Sequence, residues 1–175
     1  DYRAIEAAAV ADKPVDQFTF GAMMRFSEQK DPENLVRAFH LFRQTYALPF
    51  PVKVVIAGDG PLYSKVQQLV KELNLVGVIE LLGWQTETYK IMKSFDALVL
   101  PSNYEGFSYM ILEAMAAGLP IVSTNISGSS DTVGKVPGNV IVLHSNAAAL
   151  AEGMYRIIAT AQEVGLTKLK EQLAA

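Results

Sequence analysis

The chain has 175 residues, enough for one domain with a sizeable core. Hydrophobic residues make up 50% of it and the formal net charge is -3, which excludes a disordered tail and argues against a nucleic-acid binder with its basic excess. Cysteine is absent, which excludes disulfides, cysteine-based zinc sites and thiol catalysis and suits a cytosolic protein. Polar residues interrupt every apolar run before it could span a bilayer, and no signal-peptide pattern is visible.

Residues 1–17 read as a linker with weak helical character, opening at Asp1 as a piece of a longer protein would. Phe18–Met23 is a short apolar run and the first expected strand. The loop that leaves it carries Arg25 and Lys30. Asp31 then offers an N-cap, Pro32 fits the first helical position and Glu33 sits in the first turn. Leu35, Val36, Phe39, Leu41, Phe42 and Tyr46 continue at roughly helical spacing. Val52–Ala57 is nearly continuous and β-branched, so it reads as a buried strand, ended by Gly58-Asp59-Gly60-Pro61. Leu62–Leu73 is an amphipathic helix, Val78–Leu82 a strand closed by Gly83, and Thr86–Phe95 a short helix. Ala97–Leu100 is a strand stopped by Pro101. Gly106–Ala117 is a helix stopped by Gly118, with strand Pro120–Ser123 directly after it. Asn139–Leu143 is the last strand, and Ser145 or Asn146 caps a helix running to about Thr160. Residues 161–175 form a charged, partly helical tail.

Six short strands alternating with helices predict a single α/β domain over residues 18–160. The expected architecture is Rossmann-like: an open, mostly parallel, doubly wound sheet with helices on both faces. Ligands of such sheets bind beyond the carboxyl ends of the strands. That edge here receives Arg25 and Lys30, Gly58–Gly60, Gly83–Gln85, Ser102–Gly106 and Asn125–Ser130.

The segment 101–118, PSNYEGFSYMILEAMAAG, is the most informative. Glu113 is the only charge inside an otherwise apolar helix, so it needs a partner or access to a cleft. Ribose hydroxyls could serve, because they donate hydrogen bonds without opposite charge. A structural ion pair is the other reading. Glu105 lies eight residues earlier, about 12 Å along an ideal helix axis. That exceeds the roughly 5–9.5 Å between carboxylates acting on one glycosidic bond, but suits two ends of one extended ligand. Glu105 could also simply satisfy backbone donors at the helix start. The N–H groups near Gly106 and Phe107 offer an anion site, and Gly106 leaves room for the approach. Gly118 before Pro120 reads as plain helix termination. Arg25 and Lys30 could hold a diphosphate, though two basic residues in a surface loop are also ordinary. Gly21 could admit a ligand to the backbone or be a tight strand exit. There is no Walker A loop and no GxGxxG fingerprint.

The runs GAMMRFSEQKDPENLVRAF, VVIAGDGPLYSKVQQLVKELNL, VIELLGW and ALVLPSNYEGFSYMILEAMAAGLPIVSTNISG together resemble the group-1 family of retaining nucleotide-sugar glycosyltransferases. The likeness is to the C-terminal, donor-binding domain of their two-domain GT-B fold, and its most specific element is Glu105 and Glu113 with seven residues between. The resemblance implies that Arg25 and Lys30 bind the donor diphosphate and stabilise the departing phosphate. It implies that Glu113 holds the ribose and that Glu105 lies near the donor sugar. Gly106, Phe107 and Ser108 would surround the phosphates and sugar, Leu82 would sit beside the base, and Gly21 falls where the family has a loop glycine. No metal or other cofactor is implied; the partner is a nucleoside-diphosphate sugar. The acceptor site would belong to an N-terminal domain of the same chain, so this fragment alone would be inactive. Polysaccharide or lipopolysaccharide biosynthesis in the cytoplasm, with the full enzyme at the cytoplasmic membrane face, fits the family. Asp131 stands where the family commonly carries a Glu. His40 and His144 read as structural or solvated. Two alternatives stay open, a catalytically inactive nucleotide-sugar-binding module and a sugar-nucleotide epimerase-like enzyme. A flavodoxin-like signalling domain fits less well, because it would place clustered acids where Arg25 and Lys30 stand.

Overall fold

The computed structural model describes residues 17–106, 108–126, 129–165, 170, 171 and 173. The linker expected over residues 1–17 lies almost wholly outside them. Six strands form one sheet: β1 (Phe18–Met23), β2 (Val52–Ala57), β3 (Ile79–Gly83), β4 (Ala97–Leu100), β5 (Ile121–Thr124) and β6 (Val140–Val142). Their order is β3-β2-β1-β4-β5-β6, and every neighbouring pair is parallel. Parallel strands need covered faces, and the sequence supplies two apolar sets by simple alternation. Phe18, Phe20 and Ala22 of β1 and Ala97 and Val99 of β4 belong to one core cluster. Met23, Leu98 and Leu100 belong to the cluster on the opposite face.

The helices are α1 (Pro32–Thr45), α2 (Tyr63–Glu72), α3 (Thr88–Met92), α4 (Tyr109–Ala116), α5 (Ser129–Thr132) and α6 (Ala147–Val164). The first core cluster draws on α1, α2 and α6 and the second on α3 and α4. Two N-caps fall where the sequence places them: the Asp31 side chain accepts from Asn34 N and the Asn146 side chain from Ala149 N. A parallel Tyr46–Tyr155 ring stack, 4.2 Å between centroids, ties the end of α1 to α6.

Three helix expectations need correction. The helix expected over Gly106–Ala117 begins at Tyr109, because Ser108 takes extended backbone at the N-cap position. α6 runs past Thr160 to Val164, where Gly165 takes a positive φ of 88° and its N–H bonds back to Ala161 O. The short turn α5 has no apolar periodicity and was not expected. Packing also continues beyond residue 160. The Lys170 ammonium donates to Phe95 O at 3.1 Å and lies 3.4 Å from Asp96 Oδ1, while Asp96 Oδ2 accepts from Thr19 N.

Asp31 caps α1 at a left-handed φ of 45°, a conformation that Asn tolerates as well as Asp. Burial raises its carboxyl pKa above the usual 3.8, against the opposing hydrogen bonds from Asn34 and Asn103. The folded state therefore holds the proton more tightly than the unfolded chain. Stability falls as pH rises from 3.8 through the raised value. Asp31→Asn keeps the cap and removes the charge. Chemical denaturation across pH should find the variant more stable than wild type at neutral pH, with the advantage shrinking as pH falls toward 3.8.

Candidate functional site at the carboxyl edge

The strand order reverses direction between β1 and β4, so the loops leaving their carboxyl ends diverge and open a crevice. Lys30 stands on the loop after β1 and Glu105 on the loop after β4. They meet there, with Lys30 Nζ 2.7 Å from Glu105 Oε1. The same oxygen accepts the Ser102 hydroxyl at 2.6 Å. Glu105 and Ser102 are buried, whereas the Lys30 side chain keeps 24% exposure. A cation thus sits between a buried acid and open space. Ser102 is itself held, since its carbonyl accepts the Thr124 hydroxyl from the end of β5 at 2.5 Å.

The two loops are bound together mainly through Asn103. Its amide nitrogen donates to Glu28 O at 2.9 Å and its backbone N–H to Gln29 O at 2.8 Å. Its side-chain oxygen accepts from Ser145 Oγ at 2.6 Å, and Gln29 Nε2 donates to Tyr104 O at 3.2 Å. This clasp fixes the distance between the strands' outgoing loops and so the Lys30–Glu105 pair. No local spacing rule exposes it, because every contact joins distant segments.

At the same carboxyl edge lies an open cleft of about 440 Å³, lined by Met23, Met24, Arg25, Ala57, Gly58, Asp59, Trp84, Gln85, Thr88 and Met110. Arg25 is exposed and makes no ion pair among the described residues. Its loop is held by the Gly58-Asp59-Gly60 turn: Met24 N donates to Ala57 O, Phe26 N to Asp59 O and Leu62 N to Phe26 O. The glycines permit that approach, since a Cβ on Gly58 would stand 1.8 Å from Met24 O and one on Gly60 2.6 Å from Phe26 O. The turn therefore does more than end β2. Trp84 is 75% exposed at the lip, a residue the sequence placed at this edge without distinguishing it. Leu82 is half-buried in the adjoining strand and its carbonyl accepts from Gln85 Nε2 at 2.9 Å.

Glu113 is half-buried on α4, and no ion pair or hydrogen bond reaches its side chain among the described residues. The ion-pair reading is thus not what the fold shows. The estimate of about 12 Å between the two carboxylates assumed an unbroken helix. Only residues from Tyr109 onward are helical, and four residues rise about 6 Å. Gly106 is exposed and lies outside the helix; Ser108 is the buried N-cap residue and makes no side-chain capping bond. Phe107 lies outside the described residues. Gly21 sits within β1 where an added Cβ would come 1.9 Å from the Phe95 ring, so packing alone demands glycine there. Asp131 pairs with Lys135 at 3.7 Å on the surface, His40 is half-buried on α1, and exposed His144 lies 3.5 Å from Ser145 Oγ. Among the described residues, no group of three or more His, Asp or Glu side chains could hold a metal ion.

Comparison with known proteins decides the family. The model for glycosyl transferases group 1 matches residues 5–172. The chain belongs to the group-1 glycosyltransferases. This glycosyltransferase domain is 34% identical over 116 residues to the UDP-Gal:alpha-D-GlcNAc-diphosphoundecaprenol alpha-1,3-galactosyltransferase of Escherichia coli, covering 66% of this chain and 30% of that protein. It is 32% identical over 124 residues to the lipopolysaccharide core biosynthesis glycosyltransferase LpsD of Rhizobium meliloti, covering 71% and 34%. The chain thus spans about a third of the length of these curated relatives. The lipopolysaccharide outer core galactosyltransferase WaaB shares its fold at a TM-score of 0.74 and 24% identity, over 93% of this chain and 45% of that one. Anabaena HepE, solved with UDP and glucose, does so at 0.77 and 20%, over 98% and 45%. The domain is therefore one Rossmann-like half of a GT-B architecture. No helix among the described residues is long and apolar enough to cross a membrane.

Gly21→Ala tests the packing explanation for that glycine. Overpacking of a close-packed core costs about 1–3 kcal/mol, and denaturant titration should show a loss of that size. Phe95→Leu in the same chain should recover part of it.

Proposed function

We propose that this domain grips the nucleoside-diphosphate sugar donor of a longer, retaining glycosyltransferase. The observation that carries the reading is the Lys30–Glu105 pair at the β1/β4 crevice, with Arg25, on the same outgoing loop as Lys30, unpaired among the described residues and lining an open cleft. A diphosphate laid between Arg25 and Lys30 would meet two fixed cations. As the bond from the anomeric carbon to the phosphate oxygen breaks, the departing diphosphate gains charge, and those cations stabilise it where it forms. Arg25 can present a rigid fork while Lys30 reaches in as a point charge. Glu105 holds that ammonium at the mouth of the crevice through its Oε1 and lies near the donor sugar.

The remaining assignments follow the same direction. The free carboxylate of Glu113 accepts the ribose hydroxyls. Gly106, Phe107 and Ser108 surround the phosphates and sugar, with Gly106 leaving the approach open. The base lies in the cleft beside Leu82 and the Trp84 turn. UDP is the first nucleotide to test, given the UDP-Gal in the name of the E. coli relative and the UDP bound to HepE. The acceptor comes from the rest of a longer chain, so the 175-residue domain binds donor without turning it over. Glycan or lipid-linked acceptors are the settings its relatives' names suggest, and a lipid-linked acceptor would bring the whole enzyme to a membrane face.

Lys30→Ala should weaken nucleoside-diphosphate binding by about one to two decades, since a charge-assisted hydrogen bond contributes roughly 1.5–3 kcal/mol. Unchanged affinity in calorimetry would remove Lys30 from the diphosphate site. Glu113→Ala should weaken binding of UDP while leaving binding of inorganic pyrophosphate nearly intact. Equal losses for both would rule out the ribose contact.

A further inference from the structure

Two donors converge on one oxygen of Glu105 and leave the other bare. Lys30 Nζ and Ser102 Oγ both meet Oε1, at 2.7 and 2.6 Å. Oε2 has no hydrogen-bond partner among the described residues. It is not sealed in either, because the one buried side-chain polar atom without a partner among those residues is Asn34 Nδ2. A carboxylate can turn its two oxygens about the last side-chain bond at little cost, so a single salt bridge would not decide which one faces the crevice. A second donor at a fixed position does. The Ser102 hydroxyl is such a donor, since Ser102 is 1% exposed and its carbonyl is anchored by Thr124 Oγ1.

We infer that Ser102 is a positioning residue that commits Glu105 Oε1 to Lys30, so that Oε2 faces the crevice as the acceptor for a hydroxyl of the donor's sugar. This rests on the donor-binding reading above. Ser102 touches no substrate; it acts through Glu105. Losing its hydroxyl therefore harms recognition of the sugar rather than of the diphosphate, and only while Glu105 is present.

A double-mutant cycle on the 175-residue chain tests this. Calorimetry would compare wild type, Ser102→Ala, Glu105→Gln and the double variant, with denaturation midpoints measured alongside. The probes are UDP, GDP and ADP, each alone and as its glucose and galactose ester. The readout is the affinity ratio of ester to parent diphosphate, which cancels general damage to the fold. Ser102→Ala should lower that ratio about fivefold, part of the value of one hydrogen bond to a charged group, since Glu105 itself remains. In the Glu105→Gln background the same change should move it less than twofold. A Ser102→Ala loss that is equal for ester and diphosphate overturns the inference while leaving the donor-binding reading standing. So does a loss of the same size with and without Glu105. A wild-type chain that binds none of the diphosphates overturns both, and one that binds them without preferring any ester overturns the role given to Oε2.

Discussion

The reversal of strand order between β1 and β4 governs what this domain can do. Parallel pairing holds the two strands side by side, yet the chain leaves them toward opposite faces of the sheet. Their loops must part, and the gap is lined by whatever residues those loops carry. Here they carry a lysine and a buried glutamate that find each other at 2.7 Å. A buried carboxylate needs compensation, and Glu105 obtains it from a cation that remains partly in solvent. The fold thereby keeps a positive charge ready at the crevice while one oxygen of the acid stays satisfied.

Holding that pair requires loops that behave like rigid elements. Asn103 joins the outgoing segments of β1, β4 and β6 through side-chain and backbone bonds. The Gly58-Asp59-Gly60 turn backs the Arg25 segment with main-chain bonds that only glycines allow at such close approach. Ser102 and Thr124 carry the support down to the end of β5. Each device engages backbone groups as well as side chains, so that the site's order is tied to the main chain of the loops that carry it.

Strands β1, β2 and β4 were legible in the sequence to the residue, because short, mostly apolar runs, two of them closed by Gly58 and Pro101, leave little else for the chain to form. The caps at Asp31 and Asn146 were legible for the same local reason. The start of α4 was legible only in part: Ser108 is a favoured N-cap residue type and takes extended backbone there, but it makes no side-chain capping bond that would mark it as the boundary over Gly106. The carboxyl-edge position of Arg25, Lys30 and Glu105 followed from the strand ends of a parallel sheet alone. Their pairing did not, since a salt bridge between loops depends on a few ångströms that periodicity cannot supply. Ser102, Asn103 and Trp84 look like ordinary loop residues until the fold assembles around them.

At the opposite end of the sheet, the Asp96 carboxylate is 5% exposed between Thr19 N and the Lys170 ammonium. Its compensating charge arrives from beyond the last described residue of α6, long after the Rossmann-like unit has closed. Chimaeras that splice this domain into a related enzyme should therefore place their junction past residue 171. A cut after Val164 would leave an uncompensated acid at the foot of β4, at a cost of about 3–5 kcal/mol, and could make a compatible graft look like a failed one.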